Sequence, residues 1–485
     1  MNTDLQVVSA NTSTGNQTIT LENGFGTPAG VVIVLGRTDV DVDDSGTPAN
    51  HASMSYGVGT WTTGSPSRQW AMAGAKEHSV TDSYRWMVSD AIILLMDPTD
   101  GTVEGKASLV ALSSDRVIIN WATAPGNDYK MWVFAIGGEN ISMDVGNSTT
   151  GGAIGDKAVV NTGTPQIPRG FIMASHGAQS LSAMDDATAL KGPCRMCVGF
   201  GSYDGQNIRQ ASASISWSVN IGAGVSEAYI GFISESGTEL ADTQFELTGV
   251  AQSEFTVTTR TVAAAADYGW AAIYGADCHV DLQEAARAGS LGFDYPTGVT
   301  AFTPVGGLFI GTLMNTNDVE NEITNARAGG WGAGAVDAGG VEASAAMSHR
   351  RNVSSPNEES QTIFDDVYWH NPIHSGGVTG QEVEWTSWDA DGFTSNILNQ
   401  LSNTRVAPMM LMGKVIPATA PPTSPGPRAW AVQSGPVAAS AALSGPVAVQ
   451  GVQSGPVASM ASQSGAVAAQ AVQSGPVAAQ GVQSA

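Results

Sequence analysis

Charge is what this sequence has least of. Asp, Glu, Lys and Arg make up 13% of its 485 residues, about half the share of roughly 25% usual in globular chains. What charge there is leans one way: 44 acidic against 20 basic residues leave a net charge of −24. Such a chain repels phosphate, which speaks against nucleic acid as a partner. Cysteine is scarce as well. Cys194, Cys197 and Cys278 are too few, and odd in number, for a disulfide framework. No apolar run approaches the roughly 18 residues that span a bilayer, so no membrane partner is expected. The opening MNTDLQVVSANTSTGNQTITL has neither a basic segment nor an apolar core. It predicts synthesis in the cytoplasm without a secretory signal. Helical periodicity is nearly absent; DLQEAARAG (281–289) is the best short helix candidate.

Glycine, by contrast, is abundant, at 58 residues, and hydrophobic residues reach 42%. The apolar residues sit in short alternating runs. Val117, Ile119 and Trp121 share one face of an extended RVIINW, and Ile118 and Asn120 the other. Phe255 and Val257 alternate with Thr256 and Thr258 in the same way. Turn-forming clusters such as DPTDG, APGND and SESG separate these runs.

The runs also repeat. TPAGVVIVLGRT, IPRGFIMASHGA and TPVGGLFIGTLM place Pro28, Pro168 and Pro304 140 and 136 residues apart. YGVG (56–59), VGFG (198–201) and GGWG (329–332) follow in step. RQWAMA (68–73) matches RQASAS (209–214), with EASAAM (342–347) as a weaker third copy. SDRVIINW, SEFTVTTR and DGFTSNIL come next. DYKMWVFAIGG, DYGWAAIYGA and RVAPMMLMGK close each copy, with Gly137, Gly275 and Gly413 at intervals of 138. Seven or eight short strands per copy predict an all-β chain of three tandem antiparallel β-sandwich, jelly-roll-like domains. The expected division is an N-terminal arm (1–26) and sandwiches at 27–150, 151–290 and 291–414. A Pro-rich linker (415–429) and a ten-residue-repeat tail (430–485) follow.

A block that opens on a Pro-containing strand, passes through DADGFT (389–394) and ends in DYKMWVFAIGG resembles a β-domain recurring in virion proteins of tailed bacteriophages. The likeness spans residues 27–414 unevenly. The first copy has Arg116 where Phe is usual, the second keeps Phe255 and Thr256, and the third lacks the Tyr. The resemblance implies a structural role on a phage particle and no catalytic residues. It also implies a homotrimer, other virion proteins as partners, and host-surface glycans as a candidate ligand.

Motifs that carry chemistry are missing or incomplete. There is no Gly-x-Ser-x-Gly elbow and no phosphate-binding loop. The glycine-rich GGWGAGAVDAGG (329–340) reads as a loop. CRMC (194–197) is a lone pair of thiols whose spacing of three points them to opposite faces of a strand. Asp39, Asp41 and Asp43 alternate like the first ligands of a calcium loop, but Asp44 and Asn50 stand where Gly and Glu are needed. They are weak candidates for a structural calcium, and no other cofactor is expected. His370 and His374, in WHNPIH, are separated by Pro372 and read as loop residues. Glu382 and Glu384 share a strand face, as paired carboxylates do in glycosidases, yet nothing around them supports an enzyme. Trp61, Trp331, Trp369 and Trp388 fall near predicted loops or strand ends and are the candidate glycan-stacking residues.

The tail has a period of its own. Ser434, Ser444, Ser454, Ser464, Ser474 and Ser484 are ten apart, and no charged residue follows Arg428. A flexible linker, a β-solenoid with one side per five residues, and a stem packed against other chains all fit this composition. The expected protein is therefore non-enzymatic and located in a virion, as a tail fibre or appendage. A capsid decoration or head-fibre protein and a secreted bacterial adhesin are the alternatives.

Overall fold

The computed structural model describes residues 1–37, 52–76, 83–177, 184–185, 189–192, 194–217, 221–234, 241–262, 266–285, 290–294, 303–312, 328–350, 359–372, 379–389, 392–399, 405–413 and the tail strands given below. Among these residues there are strands and turns but no helix. The chain forms two compact units, Met1–Val415 and Ile416–Ala485.

The first unit contains three sets of strands. The first set is β1 (Asn2–Ser9), β2 (Gly15–Thr20), β3 (Pro28–Gly36), β4 (Ala52–Thr60), β5 (Arg68–Lys76), β6 (Ser83–Val88), β7 (Ile93–Met96), β8 (Val103–Ser113), β9 (Arg116–Thr123) and β10 (Lys130–Gly137). The second is β11 (Ser142–Thr149), β12 (Lys157–Asn161), β13 (Gly170–Ser175), β14 (Leu190–Lys191), β15 (Cys194–Tyr203), β16 (Ile208–Trp217), β17 (Ile221–Ser226), β18 (Gly231–Ser234), β19 (Ala241–Ala251), β20 (Glu254–Val262) and β21 (Asp267–Tyr274). The third is β22 (Asp277–Ala285), β23 (Ser290–Asp294), β24 (Pro304–Thr312), β25 (Ala328–Val336), β26 (Glu342–Arg350), β27 (Glu359–Phe364), β28 (Trp369–Pro372), β29 (Thr379–Asp389), β30 (Gly392–Asn399) and β31 (Arg405–Gly413).

Each set folds into one large and one small antiparallel sheet with the same strand order. The large sheets run β1-β10-β3-β4-β5-β6, β11-β21-β13-β15-β16-β17 and β22-β31-β24-β25-β26-β27, with β14 added to the free edge of β6. The small sheets run β2-β9-β8-β7, β12-β20-β19-β18 and β23-β30-β29-β28. Between each large sheet and its small sheet lies a closed apolar layer. In the first set Val31, Ile33 and Leu35 meet Leu109, Ile119 and Trp121; in the second Phe171 and Trp270 meet Phe245 and Phe255; in the third Phe309 and Met409 meet Val383 and Phe393.

The other faces of the three large sheets are not left to water. They converge on one common core. Val32, Val34, Tyr56 and Trp70 of the first set pack in one cluster with Ile172, Val198 and Phe200 of the second and Leu308, Ile310 and Trp331 of the third. Tyr56 stacks on Trp70 at 6.1 Å and meets the edge of Trp331 at 6.3 Å. The Trp70 indole N–H donates to the Trp270 carbonyl at 3.1 Å. Burial on both faces explains why β3 reads as an unbroken apolar run while β9, with one face toward solvent, alternates.

Three glycines set how closely the sets approach. A Cβ at Gly30 would lie 2.1 Å from Met143 Cε, one at Gly170 2.6 Å from Cys278 Sγ, and one at Gly306 2.6 Å from Thr3 Oγ1. Each is the glycine of a Pro-x-Gly triplet, and each receives the opening strand of another set: β11 on the first, β22 on the second, β1 on the third. The order is cyclic, so the contacts between sets close on themselves.

Several local expectations change. Residues 1–26, expected as an arm, contain β1 and β2, which hydrogen-bond to β10 and β9. Ser142–Thr149 and Asp277–Ala285 likewise pair with the strands that follow them, ahead of the expected starts at 151 and 291. Of the helix candidate 281–289, residues 286–289 lie outside the described residues and Asp281–Ala285 ends β22: Cys278 and Val280 belong to the common core with Leu282 packed beside them, and that period of two overrides the local helix formers. The glycine-rich 329–336 is strand β25 and not a loop, and Trp369–Pro372 is edge strand β28, with its Pro at the strand end. The third counterpart of YGVG is AGAV (333–336). Cβ atoms at Gly57, Gly199 and Gly334 would lie 1.9, 1.7 and 1.7 Å from the carbonyl oxygens of Ile92, Ile230 and Tyr368.

In the second unit β32 (Arg428–Gln433), β34 (Val447–Gln453) and β36 (Val467–Gln473) pair in parallel, as do β33 (Val437–Leu443), β35 (Val457–Gln463) and β37 (Val477–Gln483). The register advances by twenty residues, setting Val447 against Val467 and Gln450 against Gln470. Each ten-residue repeat thus supplies one strand, where the solenoid reading expected two sides.

Gly199→Ala is expected to lower the unfolding free energy by about 1–3 kcal/mol, because the carbonyl it meets belongs to backbone that must shift. Gly152→Ala, where a Cβ meets nothing within 4 Å, should stay within about 0.5 kcal/mol of the parent. Denaturant titration of the two variants checks both.

Candidate functional site

The aromatic candidates divide by burial. Trp331 (0% exposed) belongs to the common core and Trp369 (2%) to the third apolar layer. Neither offers a face to a sugar. Trp388 is half-buried; its indole N–H donates to the Asp337 carbonyl at 2.9 Å, and its ring lies 5.6 Å from Trp385 and 6.0 Å from Phe393. Trp61 is partly buried against the first apolar layer. The four do not form one platform. They looked peripheral because sequence position shows the end of a strand but not what packs on that end from another set.

The metal and thiol candidates do not assemble either. Asp39, Asp41 and Asp43 lie outside the described residues, as does His374. Among the described residues no group of three or more His, Cys, Asp or Glu is placed to hold a metal. Cys197 and Cys278 are buried thiols in different sets. Burial and the neighbouring Asp277 push the Cys278 thiol far above its usual range, against the pull of Arg169, which favours the thiol over the thiolate. His279 reaches Asp281 across one strand position, 3.4 Å away. Burial pushes Asp281 up, but His279, the Leu282 N–H and Arg209 outweigh it and bring it below the usual carboxylate range. Glu382 and Glu384 flank Val383, which points into the third apolar layer, so both lie on the outer face of β29.

What the structure builds with most care is the set of seams between the strand sets. At the first, Arg68 Nη1 donates to Asp144 Oδ1 at 2.6 Å, while Asp144 Oδ2 accepts from the Gly163 N–H. At the second, the Val280 N–H donates to Ser202 Oγ at 3.2 Å, and Arg209 stands 3.7 Å from Asp281. At the third, the Leu5 N–H donates to Asp337 Oδ2 at 3.0 Å, and the Thr3 hydroxyl donates to the Val305 carbonyl. The Asp337 carboxylate also accepts from the Gly339 and Val341 N–H groups. Leu5, Val145 and Val280 enter the common core from matching positions of the three opening strands. Among the described residues, the polar contacts at these seams join one strand set to another. Sequence reasoning passed over them, although the glycine of each Pro-x-Gly triplet was the visible signal.

The first seam also buries positive charge. Lys76, Arg85 and Arg195 are nearly inaccessible, and β15 packs against β5 and β6. His176 is buried near Arg85 and Arg195, with neither ring nitrogen hydrogen-bonded among the described residues. Burial, reinforced by Arg85 and Arg195, lowers its pKa to about 3.

No protein-family model matches the chain, and no curated protein matches it. Among solved structures, the di-domain ARO/CYC StfQ from the steffimycin biosynthetic pathway aligns at 8% identity over 56% of this chain and 84% of its own, with a TM-score of 0.08. The deltaS2 mutant of the monoaromatic hydrocarbon channel TodX aligns at 9% identity over 85% and 88%, with a TM-score of 0.09. Likenesses this slight carry no argument.

The buried imidazole carries a pH dependence of definite sign. In the unfolded chain His176 takes up a proton below about 6.5, the ordinary histidine value, whereas the folded protein resists until about 3. The unfolded state binds more protons in that window, so stability falls as pH drops through it. Relative to His176→Gln at the same pH, the wild-type unfolding constant should rise about tenfold per pH unit from 6 to 4. Parallel urea titrations of the two proteins would show it.

Proposed function

We propose that the protein is a non-enzymatic structural component of a tailed-bacteriophage virion, a tail-fibre or appendage subunit. In this reading its body is three jelly-roll-like sandwiches closed into a ring, and its tail is a stem. The observation that carries the reading is the cyclic seating of the opening strands on Gly306, Gly30 and Gly170 around one shared apolar core. A body closed in this way is a rigid block suited to bearing load in an assembly. Its best-built polar contacts hold strand sets together, which favours a structural protein over an enzyme. The likeness of residues 27–414 to virion β-domains directs the proposal to a phage particle.

The ring reshapes the expected homotrimer. Three sets of one chain already surround the core, so association of chains falls to the outer surfaces or to the tail. The in-register strands of the tail, with no charged residue after Arg428, are suited to contact with other protein, as a stem requires. Host-surface glycans remain candidate ligands of this body; Trp331 and Trp369, being core residues, are withdrawn as stacking positions.

Antibody raised against residues 27–414 should label intact phage particles in electron micrographs. Label on the tail supports a fibre or appendage, and label on the head makes the protein a decoration or head fibre. Particles without label, with the protein found in the bacterial envelope instead, would replace this reading by an adhesin. Deleting residues 430–485 should leave a folded body, by circular dichroism, that no longer attaches to particles. Normal attachment would reduce the tail to a linker.

A further inference from the structure

The three strand sets share one polar clasp between large and small sheet, and in the third set its chemistry differs. In the first set Gln69, near the start of β5, spans the gap. Its Oε1 accepts the Leu109 N–H at 2.6 Å, and its Nε2 donates to the Asp90 carbonyl at 2.9 Å. Gln210, near the start of β16, does the same in the second set. It accepts from the Leu247 N–H at 2.8 Å and donates to the Ala228 carbonyl at 2.9 Å. Leu109 and Leu247 are each the seventh residue of an eleven-residue strand. The seventh residue of the matching β29 is Trp385, whose N–H donates at 2.7 Å to Glu342 Oε2, at the start of β26.

The accepting carbonyl has a counterpart too. Asp90 and Ala228 stand two residues before Ile92 and Ile230, whose carbonyls cover Gly57 and Gly199. Tyr368 covers Gly334 in the same way, so the matching carbonyl is that of Asp366. A glutamine reaches both partners because its amide has an acceptor end and a donor end. A glutamate has only acceptors, and a glutamic acid has one of each.

We propose that Glu342 is the glutamic-acid counterpart of Gln69 and Gln210: while it keeps its proton it accepts from Trp385 and donates to the Asp366 carbonyl, and when it ionises that donated bond is lost and only N–H donors remain to it. The surroundings favour the protonated form. Glu342 is 8% exposed. Among the described residues, the charged groups that act on it are Glu384 of β29 and Asp366 of the segment before β28, both acidic. On its own turn stands Asp337, already engaged by three backbone N–H groups. Burial first, then Glu384 and Asp366, push Glu342 up to about 8 against the opposing pull of the Trp385 and Tyr368 N–H groups. The clasp lies five residues from Asp337, which receives Leu5 at the third seam. Ionisation therefore loosens the third set beside the contact that closes the ring.

The sign follows from linkage. The unfolded chain releases this proton near the usual glutamate value of about 4.3, and the folded protein holds it until about 8. Between these values the folded state binds more protons, so stability falls as pH rises. Glu342→Gln supplies a permanent donor and removes the titration. Relative to this variant at the same pH, the wild-type unfolding constant should rise about tenfold per pH unit from 5 to 7 and level off above about 8. The converse Gln69→Glu should install a similar slope in the first set. An infrared spectrum of the wild type at pH 7 should show a protonated carboxyl band that disappears at pH 9 and is missing from Glu342→Gln. Parallel pH profiles of the wild type and Glu342→Gln, or a pH 7 spectrum without that band, would overturn the proposal.

Discussion

The body of this protein depends on a close approach that only glycine allows. At Gly30, Gly170 and Gly306 the opening strand of a different set occupies the space a side chain would need. A side chain at Gly170 or Gly306 would press on the short side chains of Cys278 or Thr3, and one at Gly30 on the flexible end of Met143, so each contact beside Val280, Leu5 and Val145 of the common core would have to shift. A single β-sandwich buries one face of each sheet. Here one face of every large sheet is finished by the other two sets, so the sets are stable as a group.

The three seams solve one geometric problem with different side chains. Thr3, Met143 and Cys278 fill the same hollow. An Arg–Asp pair, a serine hydroxyl and a multiply bonded aspartate tie the corresponding edges. Gln69, Gln210 and Glu342 hold the corresponding sheet pairs. Backbone placement is kept while polar chemistry varies, and the variation gives each third its own response to pH. His176 weakens the first seam as pH falls below about 6, and Glu342 weakens the third set as pH rises from about 5 toward 8. The two act in opposite directions, which favours greatest stability between them.

Much of the strand pattern was legible in the sequence. The alternation Val117, Ile119, Trp121 marks a strand with one wet face, and the unbroken run after Pro28 marks one buried twice. The recurrence of Pro28, Pro168 and Pro304 revealed the repeat. What sequence could not show was contact between copies. β1 reads as a polar arm because only Leu5 and its neighbours face a core that the third set helps to build. Trp331 reads as a loop tryptophan because its partner Tyr56 lies 275 residues away. DLQEA, the described start of the helix candidate, reads as helix because its residue preferences are local, whereas the pairing that makes it the end of β22 comes from β31. The glycines of β25 read as a loop because their use, room for the Tyr368 carbonyl above Gly334, is a tertiary fact. Glu342 was visible only as a weak match to RQASAS, and its role emerged from its hydrogen bond to Trp385.

The central claim is that three strand sets share one core and stand or fall together. Differential scanning calorimetry of the full chain tests it most directly. A shared core predicts one main endotherm for the body, with calorimetric and van't Hoff enthalpies in agreement. Three resolved endotherms, or a calorimetric enthalpy about three times the van't Hoff value, would show independent domains on a string and contradict the account.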